Sequence, residues 1–126
     1  MEVICIDTSV LIDYYRKKDK INTFWYELSQ KYRFSISAIV QYEILRGDKN
    51  KDKFWHEIFR HVDILPFDST CAEIASEIYL NLKSSGNLID TNDLLIAAVA
   101  LRNNLKIATL NSAHFERIEN LHVIKP

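Results

Sequence analysis

Asp7, Glu43 and Asp93 are acidic residues in positions that do not suit a merely solvated charge. Asp7 directly follows the apolar run Val3-Ile4-Cys5-Ile6, where a carboxylate is partly desolvated unless a cation or a hydrogen-bond donor meets it. Glu43 falls on a helical wheel within the arc of Ile36, Ile39, Val40 and Ile44, the stripe that should face a core. Asp93 opens the most apolar helical pattern in the chain, Leu94 to Leu101. Each has a structural alternative. Asp7 would cap the helix after it, Glu43 would pair with Arg46, and Asp93 would share a capping arrangement with Asp90 at the favourable end of a helix dipole. Together the three suggest more, because converging carboxylates repel one another without a cation between them. Hard oxygen donors of this kind suit Mg²⁺ or Mn²⁺ and not zinc. A cation so held serves phosphoryl chemistry, neutralising phosphate oxygens and lowering the pKa of a water. No nucleophilic side chain is then required, and the chain has no G-x-S-x-G elbow, Walker loop or cysteine–histidine arrangement.

Bringing three distant residues together demands a framework, and short β-rich runs alternate with helical patterns along the chain. Val3–Ile6 reads as a buried strand ending at Asp7, with a short helix through Ser9–Ile12 after it. A helix over Ile21–Gln30 would put Ile21, Phe24, Trp25 and Leu28 on one face. Arg33–Ile36 reads as the second strand, and Ser37 is placed to cap a helix that ends at Gly47. An amphipathic helix follows over about Asp52–His61, then a third strand over Val62–Phe67 with Pro66 near its end. Thr70-x-x-Glu73 matches a capping box for a long helix that stops at Gly86. Asp90 or Thr91 would cap the next helix, apolar almost all round and therefore expected to be buried. Leu105–Thr109 and His122–Ile124 supply the last two strands.

This alternation predicts an α/β fold of three α/β/α layers, a parallel sheet in the order 3-2-1-4-5, and a single domain over residues 1–126. In such sheets ligands bind beyond the carboxyl ends of the strands where strand order reverses, here between strands one and four. Asp7 ends the first of these and Asn111 closely follows the other.

Composition sets the remaining bounds. With 48% hydrophobic residues and only 2 Gly and 2 Pro in 126, the chain describes a compact globule. Its formal net charge of −1 gives no overall field to attract a polyanion, so any nucleic-acid contact must rely on local basic clusters and bound cations. Arg16-Lys17-Lys18, Lys49 to Lys53, and Arg102 with Lys106 are such clusters, although each also suits a solvated helix end. The cysteines Cys5 and Cys71 lie in apolar runs without CxxC spacing, as buried thiols would. An early Asp7 argues against a signal peptide, and the longest apolar run is too short to span a membrane, so a cytoplasmic protein with no membrane partner is expected.

The chain resembles the PIN-domain family, and within it the VapC-type toxins of toxin–antitoxin pairs. The resemblance lies in Asp7-Thr8-Ser9-Val10-Leu11-Ile12, Glu43-Ile44-Leu45-Arg46-Gly47, the run from Ile89 to Ala98, and Ala108 to Ile118. It implies a PIN-like fold and an endoribonuclease with Mg²⁺ or Mn²⁺ held by Asp7, Glu43 and Asp93. It also implies an RNA substrate, often transfer RNA, a cognate antitoxin that covers the pocket, and a homodimer. Asn111 matches the fourth catalytic position, where many members have an aspartate, and His114 stands where some toxins carry an acid. One tight metal, with a second recruited by substrate phosphate, is the expectation that follows. Thr8, Asp90, Thr109 and Arg46 are expected to support the pocket. For the threonines and Asp90 capping is the alternative, and for Arg46 a pair with Glu43. His114 reads as a packed or exposed histidine and not as a ligand. Phe24, Trp25, Tyr26 and Trp55 read as core, with a groove for an antitoxin helix as their other reading.

A receiver-type signalling domain would need an acidic pair after strand one, and a dehalogenase-like phosphatase a D-x-D, which Asp7-Thr8-Ser9 lacks. The closer rival is a catalytically weak PIN domain acting as an RNA- or protein-binding module, given the uncharged Asn111.

Overall fold

The computed structural model describes residues 1–126. Five parallel strands form one sheet in the order β3-β2-β1-β4-β5, with β1 (Glu2–Ile6) at its centre. β1 pairs on one side with β2 (Tyr32–Ser37) and on the other with β4 (Ile107–Ala108). β3 (Asp63–Leu65) and β5 (Val123–Ile124) form the edges. Ile4, Cys5 and Ile6 are all within 2% of complete burial. Because consecutive strand residues point to opposite faces, helices must cover both sides of β1, which is the expected three-layer α/β arrangement.

The helices are α1 (Thr8–Arg16), α2 (Phe24–Ser29), α3 (Ala38–Gly47), α4 (Lys53–Arg60), α5 (Ser69–Ser84), α6 (Thr91–Arg102) and α7 (Ser112–Phe115). Ile96 to Ala100 are all buried, so α6 is covered around its whole circumference, and it packs on α5, α3 and α7. The three alanines of that stretch let neighbouring backbones approach. Ser37 caps α3, its Oγ accepting from the Val40 amide at 3.1 Å. α5 stops where Gly86 takes φ +73°. The Asn87 and Gly86 amides donate back to the Leu82 and Lys83 carbonyls, satisfying the helix end as a left-handed cap does.

Several boundaries differ from expectation for local reasons. Residues 21–30 do not form one helix. A 3₁₀ turn at Lys20–Asn22 comes first, and α2 begins only after Thr23, whose Oγ1 accepts from the Tyr26 amide at 3.2 Å. Ile21 consequently lies off the apolar face and is 63% exposed. The Thr70-x-x-Glu73 capping box is not used, because the Asp68 carboxylate takes the Cys71 amide at 2.9 Å and starts α5 earlier. β3 ends before Pro66, which has no amide to donate to a ladder. Asp90 stands at the N-cap position of α6 without making a side-chain cap. Both thiols are buried. Cys5 Sγ lies 3.6 Å from Ser35 Oγ, and burial raises its pKa to about 11.

Candidate active site

The carboxyl end of β1 delivers Asp7 into a nearly closed position, with 4% of the residue exposed. Two hydroxyls hold one of its oxygens. Ser9 Oγ and Thr109 Oγ1 each donate to Oδ2 at 2.8 Å. Thr109 is on hand because β4 runs beside β1, and the Asp7 amide itself donates to the Ala108 carbonyl at 3.0 Å. Thr109 thus joins the end of β4 to Asp7. Its Oγ1 also accepts from the Asn111 amide, and Ser9 Oγ accepts from the Leu110 amide, which ties the turn after β4 to the site.

Glu43 projects from the middle of α3. Thr8 Oγ1 donates to its Oε1 at 2.7 Å, and Asn92 Nδ2 donates to its Oε2 at 3.3 Å. The Arg46 guanidinium stands 3.7 Å from the same Oε2, so the pairing weighed as an alternative is present, though on a half-exposed arginine that also lies over the Tyr42 ring. An ion pair in that setting contributes little. Asp93, in the first turn of α6, meets His114 Nδ1 through Oδ2 at 2.7 Å.

Burial pushes the Asp7 carboxyl above the usual carboxylate range and the charge of Asp93 adds to the rise, against the pull of the Thr109 and Ser9 hydroxyls. Asp93 is raised as well, chiefly by burial, with Asp90 and Glu43 adding to it and His114 opposing. The acids therefore share one end of the sheet closely enough for their charges to act on one another. They do not form a preformed cage: no three Asp, Glu, His or Cys side chains stand close enough to enclose a metal ion. Asp7 and Asp93 each turn one oxygen toward an internal partner, and Glu43 turns both. The donor chemistry nevertheless fits a hard divalent cation. It consists of carboxylate oxygens whose charge is costly where it sits, and a cation would relieve that cost.

Asn111 is exposed and its side chain caps nothing, while Asp90 lies at the rim and is felt only through its charge. Three partners were not foreseen from sequence: Ser9, Asn92 and His114. The usable signal for His114 is its position three residues after Asn111, on the same side of one helical turn. Of the aromatic set, Phe24 and Trp55 are buried, whereas Tyr26 is 39% exposed.

Comparison with known proteins agrees with this fold. The family model described as PIN domain matches residues 4–121. Ribonuclease VapC1 of Methanocaldococcus jannaschii is 36% identical over 118 residues, spanning 92% of this chain and 81% of that protein. Ribonuclease VapC of Rickettsia bellii is 34% identical over 131 residues, spanning 96% and 94%. Among solved structures, VapBC2 from Rickettsia felis, bound to a DNA fragment from its promoter, superposes with a TM-score of 0.81 at 26% identity and covers 98% of each chain. FitAcB from Neisseria gonorrhoeae gives 0.80 at 26% identity, covering 96% of each chain. A match over almost the whole chain, on the strand order that carries these carboxylates, makes this protein a member of the PIN-domain family.

Proposed function

We propose that this chain is an endoribonuclease dependent on Mg²⁺ or Mn²⁺, and the toxin of a VapBC-type toxin–antitoxin pair acting in the cytoplasm. The observation that carries the reading is Asp7: a buried carboxylate kept in place by two dedicated hydroxyls, within the field of Asp93. Asp7, Glu43 and Asp93 would hold the cation. When bound, it supplies charge neutralisation at phosphate oxygens and a water of lowered pKa. The chain's own residues do the rest. Ser9 and Thr109 fix Asp7, while Thr8 and Asn92 fix Glu43, so neither carboxylate needs to reorganise as a phosphodiester approaches. His114 holds Asp93 at one oxygen. Asn111 would orient a ligand or water without adding charge. The relatives named ribonuclease support RNA as substrate, with transfer RNA the expected class, and the VapBC complexes support a cognate antitoxin as partner. A homodimer follows the family pattern.

The test is cleavage of RNA by the purified chain with Mn²⁺ or Mg²⁺ and with EDTA. We expect cleavage only with metal, and a loss of at least about a hundredfold in Asp7→Asn and Asp93→Asn with unchanged circular dichroism. The neutral Asn111 favours a second reading, a catalytically weak module that binds RNA or protein. Metal-independent RNA binding with no cleavage under any of these conditions would select it.

A further inference from the structure

We propose that His114 is a ligand of the divalent cation through Nδ1, beside Asp93 Oδ2, and that this nitrogen donor makes the site select Mn²⁺ over Mg²⁺. The inference rests on the metal-dependent reading above and names which ion the site takes. Asp7, Glu43 and Asp93 offer only oxygen. His114 is the one histidine in contact with any of them, so it alone changes the chemistry of the donor set. Mg²⁺ takes oxygen ligands and gives up water reluctantly, whereas first-row transition ions accept imidazole.

The spacing suits a shared ion. Nδ1 and Oδ2 lie 2.7 Å apart. Two neighbouring ligands of an octahedral ion with bonds near 2.1 Å stand about 3 Å apart. A turn of the imidazole, 33% of which is exposed, aims both lone pairs at one ion without moving the backbone. The proton that the pair now shares passes to Nε2, which no group in the fold engages, so the ring stays neutral. The backbone beneath the ring is fixed. Phe115, the next residue, is fully buried, and Ile118 is nearly so. The Arg117 amide donates to the His114 carbonyl at 3.2 Å, and α7 packs on α6, which carries Asp93. Two donors from neighbouring helices are thus held in register. No third acidic, histidine or cysteine side chain closes a cage around them. Asp7 keeps an oxygen that neither Ser9 nor Thr109 engages, and water fills the other positions. A histidine that merely held Asp93 by a hydrogen bond would leave the ion an all-oxygen site.

The test uses the full, metal-free chain loaded with Mn²⁺ and read by electron spin-echo envelope modulation, which detects nitrogen bound to the ion. Mn²⁺ and Mg²⁺ affinities are measured alongside by calorimetry, with circular dichroism as the check on folding. We expect a directly bound nitrogen in wild type and its loss in His114→Gln, which separates this ring from His56, His61 and His122. His114→Glu returns the set to oxygen, so the ratio of Mn²⁺ to Mg²⁺ affinity should fall about tenfold. A nitrogen signal absent from wild type or persisting in His114→Gln overturns the assignment, as does an unchanged ratio in His114→Glu. Weaker Mn²⁺ binding in His114→Gln with no nitrogen signal in wild type reduces His114 to holding Asp93 and overturns it too. RNA cleavage is scored separately. Nitrogen-bound Mn²⁺ without cleavage sinks the nuclease reading and leaves the ligand standing, whereas cleavage by a Mn²⁺ site without nitrogen does the reverse.

Discussion

Asp7 carries a cost that its surroundings only partly offset. Burial raises its carboxyl pKa, so between the ordinary carboxylate range and the raised folded value the native chain holds a proton that the unfolded chain has released. Stability therefore falls as pH rises through that window, and above it the buried charge is a constant penalty. Asp7→Asn keeps an acceptor for Ser9 and Thr109 and removes the charge. In metal-free buffer it should melt a few degrees above wild type at pH 7.5, with the gap closing toward pH 4, as thermal denaturation followed by circular dichroism would show. A variant melting below wild type at pH 7.5 would contradict this. The three acids were legible in sequence because Asp7 ends an apolar run, Glu43 interrupts an apolar stripe and Asp93 opens the most apolar helix. Their partners were not: that Thr8 serves Glu43 and Ser9 serves Asp7 depends on which oxygens face which hydroxyls across 35 and 2 residues of separation. No spacing rule encodes that choice. His114 was read as bland for the same reason, since its contact is with α6, 21 residues away.

At the scale of elements, α6 sets the position of Asp93, and its alanines set how closely α6 sits to its neighbours. Ala97, Ala98 and Ala100 are fully buried. Ala98→Leu should destabilise the chain by about 1–3 kcal/mol, seen as a lower urea midpoint with unchanged m-value. A midpoint within error of wild type would mean the helix can shift without loss. Elements with a strong period were readable in advance, β1, β2, α3 and α6 among them. Those decided by competition between caps were not. Asp68 outbids Thr70 for the start of α5, and Thr23 delays α2, because a nearby acceptor for an amide outweighs the hydrophobic period. β4 is assigned only two residues, yet ladder bonds at Lys106 and Thr109 extend its pairing toward the expected limits.

For the molecule as a whole, strand order was recoverable because parallel connections leave few topologies, and the order pointed to the junction of β1 and β4, where Asp7 and Thr109 meet. The placement of the acids relative to one another was not recoverable, since each is held by partners far away in the chain. A ligand bound by the native state alone stabilises the entire cooperative unit, by about 2.7 kcal/mol at a hundredfold excess over its dissociation constant. Mn²⁺ should accordingly raise the melting temperature of wild type but not of Asp7→Asn, and titration calorimetry on the metal-free protein should count one strong site. Two equal strong sites, or an equal rise in both proteins, would refute a single Asp7-centred cation.

Cys5 lies on β1, two residues before Asp7, with its thiol sealed against Ser35 and its ionisation suppressed. Sulfur chemistry proceeds through the thiolate, so oxidants and alkylating agents meet no competent nucleophile there until the sheet comes apart. The end of β1 that leads into the most demanding carboxylate is, by the same burial, closed to thiol chemistry.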